Sequence, residues 1–240
     1  MNYQLKILRG TGAGESFWQT FSTPCGEKDS VACALEELNS RPLLQDAQGA
    51  AAEPIGWDCA CLEKKCGACA MVISGKPRLA CAAALGRSAD REGVVTLRPL
   101  SKFPRRKDLQ VDRNALFRTM GEMQLWMEGI SGAAEDGAAP ALQYAAARCL
   151  MCGLCLEVCP NFTPGSSFAG AAAVPAAFGA LQAEGDGEHE AELRRQYRRR
   201  FYGVCAKSLS CEAICPAEVP VEQLLVKTNA AAVWRRRKKK

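Results

Sequence analysis

The sequence predicts an α+β protein of two domains: a small sheet around a helix in residues 1–105, and a helical domain in residues 106–240. Short runs of alternating polar and apolar residues dominate the first part, which is the period of a strand. Beyond residue 106 the apolar spacing becomes helical and the connections become rich in alanine and glycine. Pro99 and Pro104 mark the change between the two.

In the first domain the alternation predicts four strands and the helical spacing predicts one helix. The predicted strands are residues 3–10, 16–23, 70–74 and 94–100. Residues 30–41 carry apolar side chains at helical spacing, and Pro42 should end that helix. A turn is predicted at 75–77.

In the second domain three segments have helical spacing. They are residues 116–130, 142–159 and 219–234. We interpret 131–141 and 169–183 as connectors because alanine and glycine dominate them and Pro175 interrupts the second. A near-repeat is also visible, since a cysteine cluster that ends in Cys159-Pro160 recurs as one that ends in Cys215-Pro216.

The composition is that of a soluble globular protein, because 48% of the 240 residues are hydrophobic and 24% are charged. The first ten residues contain no apolar run typical of a secretory signal, and no run is long enough to span a bilayer. We therefore expect a reducing compartment, in which the 14 cysteines are metal ligands more often than disulfides.

The net charge of +5 is concentrated in two segments. Residues 193–203 hold five arginines, and the six residues 235–240 are all basic. Two interpretations stay open, a solvated surface or contact with anionic lipid head groups. Nucleic-acid binding is not favoured, because no interleaved aromatic residues or recognised module accompany the charge.

The first cysteine cluster follows the Cx4CxxC spacing of plant-type ferredoxins, which predicts a 2Fe–2S site. Its predicted ligands are Cys61, Cys66, Cys69 and Cys81. Gly67 provides the tight turn that lets backbone N–H groups approach sulfur. Zinc is the weaker alternative, since it prefers two CxxC pairs and only one is present. Cys59 is predicted to be a spare thiol, because its use would lengthen the first gap.

The second cluster follows CxxCxxCxxxCP, the run of bacterial ferredoxins. It consists of Cys149, Cys152, Cys155 and Cys159. In two-cluster ferredoxins the fourth cysteine of one run is a ligand of the other cluster. A second run is therefore required, and Cys205, Cys211 and Cys215 provide it with Ser208 at the second position.

Ser208 determines the predicted cluster types. The 4Fe–4S cluster has four thiolates, from Cys149, Cys152, Cys155 and the crossing Cys215. Only three thiolates remain for the other cluster, from Cys159, Cys205 and Cys211. Because a serine oxygen is a harder ligand than a thiolate, we predict a 3Fe–4S cluster at that site.

The remaining candidates carry no predicted chemistry. Cys25 and Cys33 lie outside the runs and are interpreted as buried apolar thiols. His189 is interpreted as a solvated helix residue in an acidic segment. No catalytic residue is predicted, because the sequence has neither a Ser/His/Asp set nor a glycine-rich phosphate loop.

A plant-type 2Fe–2S domain, β-grasp in fold, followed by an α-helical bacterial-ferredoxin-like domain with 4Fe–4S and 3Fe–4S sites resembles the iron–sulfur subunit of succinate dehydrogenase and fumarate reductase. Residues 57–81 resemble the first-cluster loop of that family, and 97–113 resemble its interdomain segment. The likeness is closest to the menaquinone-linked bacterial members, and it covers nearly the whole chain.

The resemblance implies an electron-transfer subunit of an oxidoreductase of the tricarboxylic acid cycle or of anaerobic respiration. The implied partners are an FAD-containing flavoprotein subunit, a cytochrome b-type membrane anchor and a quinone near the 3Fe–4S cluster. The implied location is peripheral, on the cytoplasmic face of the cell membrane. Ala206, Asn161 and Phe162 stand where some ubiquinone-reducing members carry histidine and tryptophan, so no quinone ligands are predicted.

Two alternatives belong to other classes. One is the iron–sulfur subunit of a different flavoprotein complex, such as a soluble fumarate reductase, which often carries an additional cysteine-rich domain. The other is a free-standing ferredoxin carrier, for which we expect a smaller and acidic protein. Genes for a flavoprotein and a cytochrome b beside this one would favour the membrane complex.

Overall fold

The computed structural model describes residues 3–12, 14–127, 139–183 and 187–234. The chain divides into two compact units, residues 1–113 and 114–240. Within the described ranges, no helix is long and apolar enough to cross a bilayer.

The first unit is built on a mixed five-stranded sheet in the order β2-β1-β5-β3-β4. The strands are β1 Tyr3–Arg9, β2 Phe17–Thr23, β3 Ala70–Ile73, β4 Lys76–Leu79 and β5 Val94–Arg98. Strands β1 and β5 are parallel, and the other neighbouring pairs are antiparallel. Alternate side chains of β1, including Leu5 and Ile7, are fully buried, as the period of a strand requires. The four predicted strands are confirmed.

The predicted helix is also confirmed as α1, Val31–Ser40, whose buried face includes Leu35 and Leu38. Ser30 caps its N-terminus, because the Ser30 hydroxyl oxygen accepts a hydrogen bond of 3.1 Å from the Cys33 N–H. The helix ends before Arg41, one residue ahead of Pro42. A one-turn helix, α2, covers Leu85–Ser88.

The predicted turn at 75–77 is one residue too late. The chain reverses at Ser74 and Gly75, both with positive φ, and Pro77 already belongs to β4. Strand β4 lies at the edge of the sheet, so the N–H that proline lacks is not needed by a further strand.

The described part of the second unit is helical. Its helices are α3 Asn114–Glu122, α4 Ala139–Ala147, α5 Leu154–Glu157, α6 Ala173–Ala183, α7 Glu188–Tyr197, α8 Ser210–Ala213 and α9 Val221–Asn229. Short π-helical turns extend α7 through Tyr202 and α9 through Trp234. The core of this unit packs α6 against α4, α7 and α9 around Phe178, Tyr197 and Leu224.

Three expectations for this unit need correction. Residues 173–183 form the buried helix α6 rather than a connector, because alanine favours helix and Pro175 lies in the first turn, where its missing N–H costs nothing. The predicted helix over 142–159 is interrupted at 148–153, where Met151 and Gly153 have positive φ. The predicted helix over 116–130 ends at Glu122, and 128–138 lie outside the described residues.

A buried ion pair holds three distant segments of the first unit together. Arg9 at the end of β1 and Asp108 are 4% and 2% exposed, and Arg9 Nε lies 3.0 Å from Asp108 Oδ1. The same carboxylate accepts hydrogen bonds from the N–H groups of Gly10, at 2.9 Å, and Gly56, at 2.8 Å. Gly56 directly precedes the cysteine-rich loop, so this carboxylate positions the start of that loop.

We expect Asp108→Ala to destabilise the protein by about 3–5 kcal/mol, because the buried Arg9 charge would lose its counter-charge. Denaturant unfolding of the full chain, followed by circular dichroism, measures this loss. Glu92→Ala, which removes an exposed carboxylate of the same unit, is the matched control and should leave the free energy of unfolding within about 0.5 kcal/mol. Equal stability of the two variants would contradict the role given to Asp108.

Candidate metal centres

The first cysteine loop bends through backbone conformations that turn its N–H groups inward. Leu62, Lys64 and Gly67 all have positive φ, at 56°, 63° and 75°. A non-glycine residue in this region is strained by about 1 kcal/mol or more, and such strain is typical of functional loops. Gly67 is the one position of the three where the sequence signals the turn.

These N–H groups point at sulfur. Glu63 and Lys65 donate to Cys61 Sγ at 3.3 and 3.2 Å. The Lys64 N–H donates to Cys81 Sγ at 3.3 Å, and the Ala68 N–H donates to Cys66 Sγ at 3.4 Å. Backbone donors of this kind stabilise sulfur that carries negative charge, which is the state of a metal-bound thiolate.

The β3–β4 hairpin brings the last two predicted ligands together. Cys69 directly precedes β3, and Cys81 lies in a 3-10 turn, Ala80–Ala82, that directly follows β4. Their sulfur atoms are 3.5 Å apart, although the residues are twelve positions apart in the sequence. The sheet therefore closes the four-thiol set that the spacing predicts.

The four thiols differ in their environment. Hydrogen bonds from the Glu63 and Lys65 N–H groups lower the pKa of Cys61 to about 7, whereas burial raises the pKa of Cys69 to about 12. Cys59 is exposed, and among the described N–H groups none donates to its sulfur. N–H donors to Cys61, Cys66 and Cys81, together with the contact between the sulfur atoms of Cys69 and Cys81, thus separate the four predicted ligands from Cys59.

Arg113 fixes the end of this loop, and sequence reasoning missed it. Its guanidinium donates to the carbonyl oxygens of Ala68, at 2.9 Å, and Ala70, at 3.3 Å, on either side of Cys69. No local motif signals this contact, because the partners are more than forty residues apart in the sequence.

The second predicted ligand set surrounds one cavity of the second unit. The thiols that line it are those of Cys149, Cys152, Cys155 and Cys215. Leu150, Ala172 and Ala217 contribute apolar walls. Cys215 comes from the later run, so the structure brings together the crossed set that the sequence predicts for a 4Fe–4S cluster.

The third set surrounds a separate cavity. Its cysteines are Cys159, Cys205 and Cys211, and Ser208 lines the same cavity. Phe168, Phe201, Val221 and Leu225 form much of its wall. Each cysteine that precedes a proline, Cys159 or Cys215, therefore lies in the cavity of the opposite run.

The backbone repeats between the two runs at an offset of 56 residues. Met151 and Lys207 have positive φ at equivalent positions, as do Gly153 and Leu209, which begin α5 and α8. Ser208 consequently occupies the position equivalent to Cys152. The near-repeat seen in the sequence is thus a repeat of the backbone conformation.

These cavities suit thiolates only in the presence of positive charge. Burial raises the pKa of Cys149 and Cys211, and it raises that of Cys155 well above its usual range, with the neighbouring Cys152 adding to it. None of the described residues that line the cavity of Cys149, Cys152, Cys155 and Cys215 is charged, whereas Lys207 lines the other cavity. Bound iron would supply the counter-charge that the first cavity lacks and add to that of Lys207 in the second. The donor chemistry fits soft iron–sulfur ligation.

No group of three or more histidine, cysteine, aspartate or glutamate side chains within the described ranges meets the geometry of a single metal-ion site. A cluster holds its ligands further apart than one ion does, because iron and sulfide lie between the thiolates. The three groups of sulfur atoms are therefore compared with cluster sites rather than with single-ion sites.

Three further expectations fall on residues outside the sets. Cys33 is exposed and Cys25 is only half-buried, so the interpretation of both as buried thiols is wrong. His189 lies in α7 as expected, but it stacks on Trp126 with ring centroids 5.3 Å apart and is not fully solvated.

The arginine-rich segment 193–203 is amphipathic. Tyr197 and Phe201 are buried in the core, whereas Arg194 pairs with Glu190 and Arg200 pairs with Glu122. Part of its charge is thus neutralised within the unit. The other basic segment, 235–240, lies outside the described residues.

We expect Cys59→Ser to leave the visible and EPR spectra of the 2Fe–2S cluster unchanged, because Cys59 lies outside the N–H···S pattern. Cys61→Ser should perturb or abolish those spectra, since it removes the sulfur that accepts two of the hydrogen bonds. Iron content and absorption spectra of the two variants measure the difference. Loss of the spectrum in Cys59→Ser alone would contradict the assignment.

Comparison with known proteins adds independent evidence on the centres. Residues 4–118 match a family described as 2Fe-2S iron-sulfur cluster binding domain. The fold is similar to a chain of the Mycobacterium smegmatis Sdh1 complex in the apo form, with a TM-score of 0.75 and 18% identity. That alignment covers 98% of this chain and 97% of the other.

Two curated relatives extend the likeness over the second unit. The succinate dehydrogenase iron-sulfur subunit of Bacillus subtilis (strain 168) is 31% identical over 220 residues, covering 88% of this chain and 84% of that protein. The fumarate reductase iron-sulfur subunit of Wolinella succinogenes is 29% identical, covering 70% of this chain and 73% of that protein. The chain therefore belongs to the family of succinate dehydrogenase and fumarate reductase iron–sulfur subunits.

Proposed function

We propose that this chain relays electrons between the flavin of a flavoprotein subunit and a quinone held by a membrane anchor, as part of a succinate:quinone oxidoreductase or quinol:fumarate reductase. One observation carries the proposal: the eleven predicted ligand thiols form three groups, each with the composition that its cluster requires. Family membership favours this function over a free-standing carrier.

The proposed 2Fe–2S ligands are Cys61, Cys66, Cys69 and Cys81, within a β-grasp domain of residues 1–105. The helical domain of residues 106–240, proposed to be bacterial-ferredoxin-like, holds the other two clusters. The proposed 4Fe–4S ligands are Cys149, Cys152, Cys155 and Cys215. The proposed 3Fe–4S ligands are Cys159, Cys205 and Cys211.

Each cluster, when bound, would hold one electron at a time. A relay of such clusters can therefore pass the two electrons exchanged at the flavin and at the quinone one by one. The residues of the chain set the conditions for this storage. N–H groups of residues 63–65 withdraw charge from the sulfur atoms of Cys61 and Cys81, which favours reduction. Apolar walls around the proposed 4Fe–4S ligands disfavour additional negative charge, whereas Lys207 in the lining of the third cavity favours it there.

The choice of 3Fe–4S rests on Ser208. Its equivalence to Cys152 in the backbone repeat supports a vacant corner at the position where a thiolate would otherwise hold the fourth iron. The serine hydroxyl is a harder ligand and is protonated at neutral pH, so it binds that iron weakly.

The proposed partners follow from the family. They are an FAD-containing flavoprotein subunit, a cytochrome b-type anchor and a quinone near the 3Fe–4S site. The proposed location is the cytoplasmic face of the cell membrane, where the anchor would hold this chain. The names of the relatives support both directions of the reaction, since they include succinate dehydrogenase and fumarate reductase subunits.

A potentiometric EPR titration of the membrane complex tests the proposal. The complex is purified by means of an affinity tag on this chain. We expect a flavoprotein and a haem-containing fraction to co-purify, and three cluster signals with separate potentials to appear. An oxidised complex with full iron loading but without a 3Fe–4S signal would contradict the cluster assignment. Recovery of the chain without a flavoprotein would contradict the proposed relay.

We expect Ser208→Cys to convert the 3Fe–4S cluster to 4Fe–4S and to lower its potential, because a fourth thiolate would retain the fourth iron. Low-temperature EPR of the oxidised protein should then lose the 3Fe–4S signal. Ser166→Cys is the matched control, since it adds a thiol at an exposed serine of the same unit that does not line this cavity, and it should keep the signal. Survival of the signal in Ser208→Cys would show that Ser208 is not at the vacant corner.

A further inference from the structure

Two thiols outside the three groups lie close together. The sulfur atoms of Cys25 and Cys33 are 4.0 Å apart. Cys25 lies between β2 and α1, and Cys33 lies in the first turn of α1. A disulfide bond measures about 2.05 Å, so closure requires the two side chains to rotate toward each other.

The local backbone holds this pair in place without help from the sulfur atoms. Between the two cysteines, Gly26 donates to Asp29 Oδ2 at 2.7 Å, and Asp29 donates back to the Gly26 carbonyl at 3.1 Å. Ser30 then caps α1 through the Cys33 N–H. The turn and the cap together fix the separation of the two thiols.

We propose that Cys25 and Cys33 form a redox-active dithiol that closes to a disulfide by exchange with a small-molecule disulfide such as oxidised glutathione. Cys33, the exposed thiol, attacks the small disulfide as a thiolate and releases one thiol. Cys25 then attacks the Cys33 sulfur of the mixed disulfide and releases the second. The two protein thiols are oxidised, the small disulfide is reduced to two thiols, and these take up the two protons.

We expect disulfide formation between Cys25 and Cys33 to restrain the segment that follows Cys81. The loop from Cys25 to Cys33 is joined to residues 83–86 by hydrogen bonds from Val31 N–H to the Ala83 carbonyl, 2.8 Å, and from Leu85 N–H to the Asp29 carbonyl, 2.9 Å. The 3-10 turn that carries Cys81 directly precedes residues 83–86. Closure of the disulfide removes freedom from the loop and so stabilises the chain just after a proposed ligand.

The two segments are also in steric contact. The Gly86 N–H donates to the Glu27 carbonyl at 3.0 Å, and a Cβ at Gly86 would lie 2.2 Å from Glu27 Cγ. A restraint on the loop is therefore transmitted to residues 83–86 through direct packing as well as through hydrogen bonds. The three groups of proposed ligands are complete without Cys25 and Cys33, so the reaction needs no thiol from a cluster.

The experiment incubates the full-chain protein, with its clusters, in anaerobic mixtures of reduced and oxidised glutathione. Alkylation and trypsin digestion follow. Lys28 lies between the two cysteines, so trypsin yields separate peptides unless a disulfide joins them. We expect the joined peptide to increase with the oxidised fraction, with a mass lower by two hydrogen atoms, while iron content and the 2Fe–2S spectrum stay constant.

Variants separate closure from adventitious oxidation. Cys59→Ser removes another non-ligand thiol of the same unit and should leave the joined peptide unchanged. Cys25→Ser should stop the reaction at a glutathione adduct on Cys33. Separate adducts on Cys25 and Cys33 in the unaltered chain, or no reaction at either thiol while Cys59 reacts, would overturn the proposal.

Hydrogen exchange tests the structural consequence. We expect exchange in residues 83–86 to slow by a few-fold when the unaltered chain is oxidised, and to stay the same in Cys25→Ser. A joined peptide without slower exchange would overturn the coupling to the segment after Cys81. Neither readout depends on electron transfer, so the outcome is distinguishable from failure of the proposed function.

Discussion

The second unit depends on one constraint: Cys159 and Cys215 each line the cavity of the opposite cysteine run. Neither cavity is complete unless residues 149–160 and 205–216 pack against each other. Helix α5 lies in the first of these segments and α8 in the second. The two helices are in contact because each run contributes a cysteine to the cavity of the other. Helices α6 and α9 supply buried apolar side chains that pack around the two cysteine runs. A proline after each crossing cysteine ends the run at the same point.

The backbone of the two runs shows what the exchange requires locally. Met151, Lys207 and Leu209 are non-glycine residues with positive φ, and each such residue costs about 1 kcal/mol. Met151 and Lys207 carry this cost at equivalent positions, whereas Leu209 carries it where the first run has Gly153. The bends are retained because they carry the chain from one sulfur to the next. The first loop uses the same device at Leu62 and Lys64, where the bends direct N–H groups at sulfur.

The three groups of thiols lie in two kinds of environment. In the first, partly exposed loop, backbone N–H groups stabilise charge on sulfur, and the Arg9–Asp108 pair and Arg113 hold the two ends of the loop. The other two groups lie mostly among aliphatic and aromatic side chains, with Lys207 beside the third group, and burial opposes ionisation of their thiols without a metal. Hydrogen bonding to sulfur predominates in the first loop and burial in the second unit, but each unit uses both: Cys69 is buried in the first, and the Val219 N–H donates to Cys215 Sγ at 3.5 Å in the second.

The cysteine spacing alone was enough to predict the three groups of thiols and the place of Ser208, because iron–sulfur ligands recur at short spacings that the backbone must satisfy locally. The sequence also indicated four of the five strands and α1, since alternation, helical spacing and a terminating proline are local properties. Tertiary structure alone decided that the alanine-rich helix 173–183 is buried in the core, that Asp108 and Arg113 anchor the first loop, and that Cys25 faces Cys33. These outcomes depend on packing between segments that are distant in the chain, or on the conformation of a turn. The spacing of residue types along the sequence predicts neither of them.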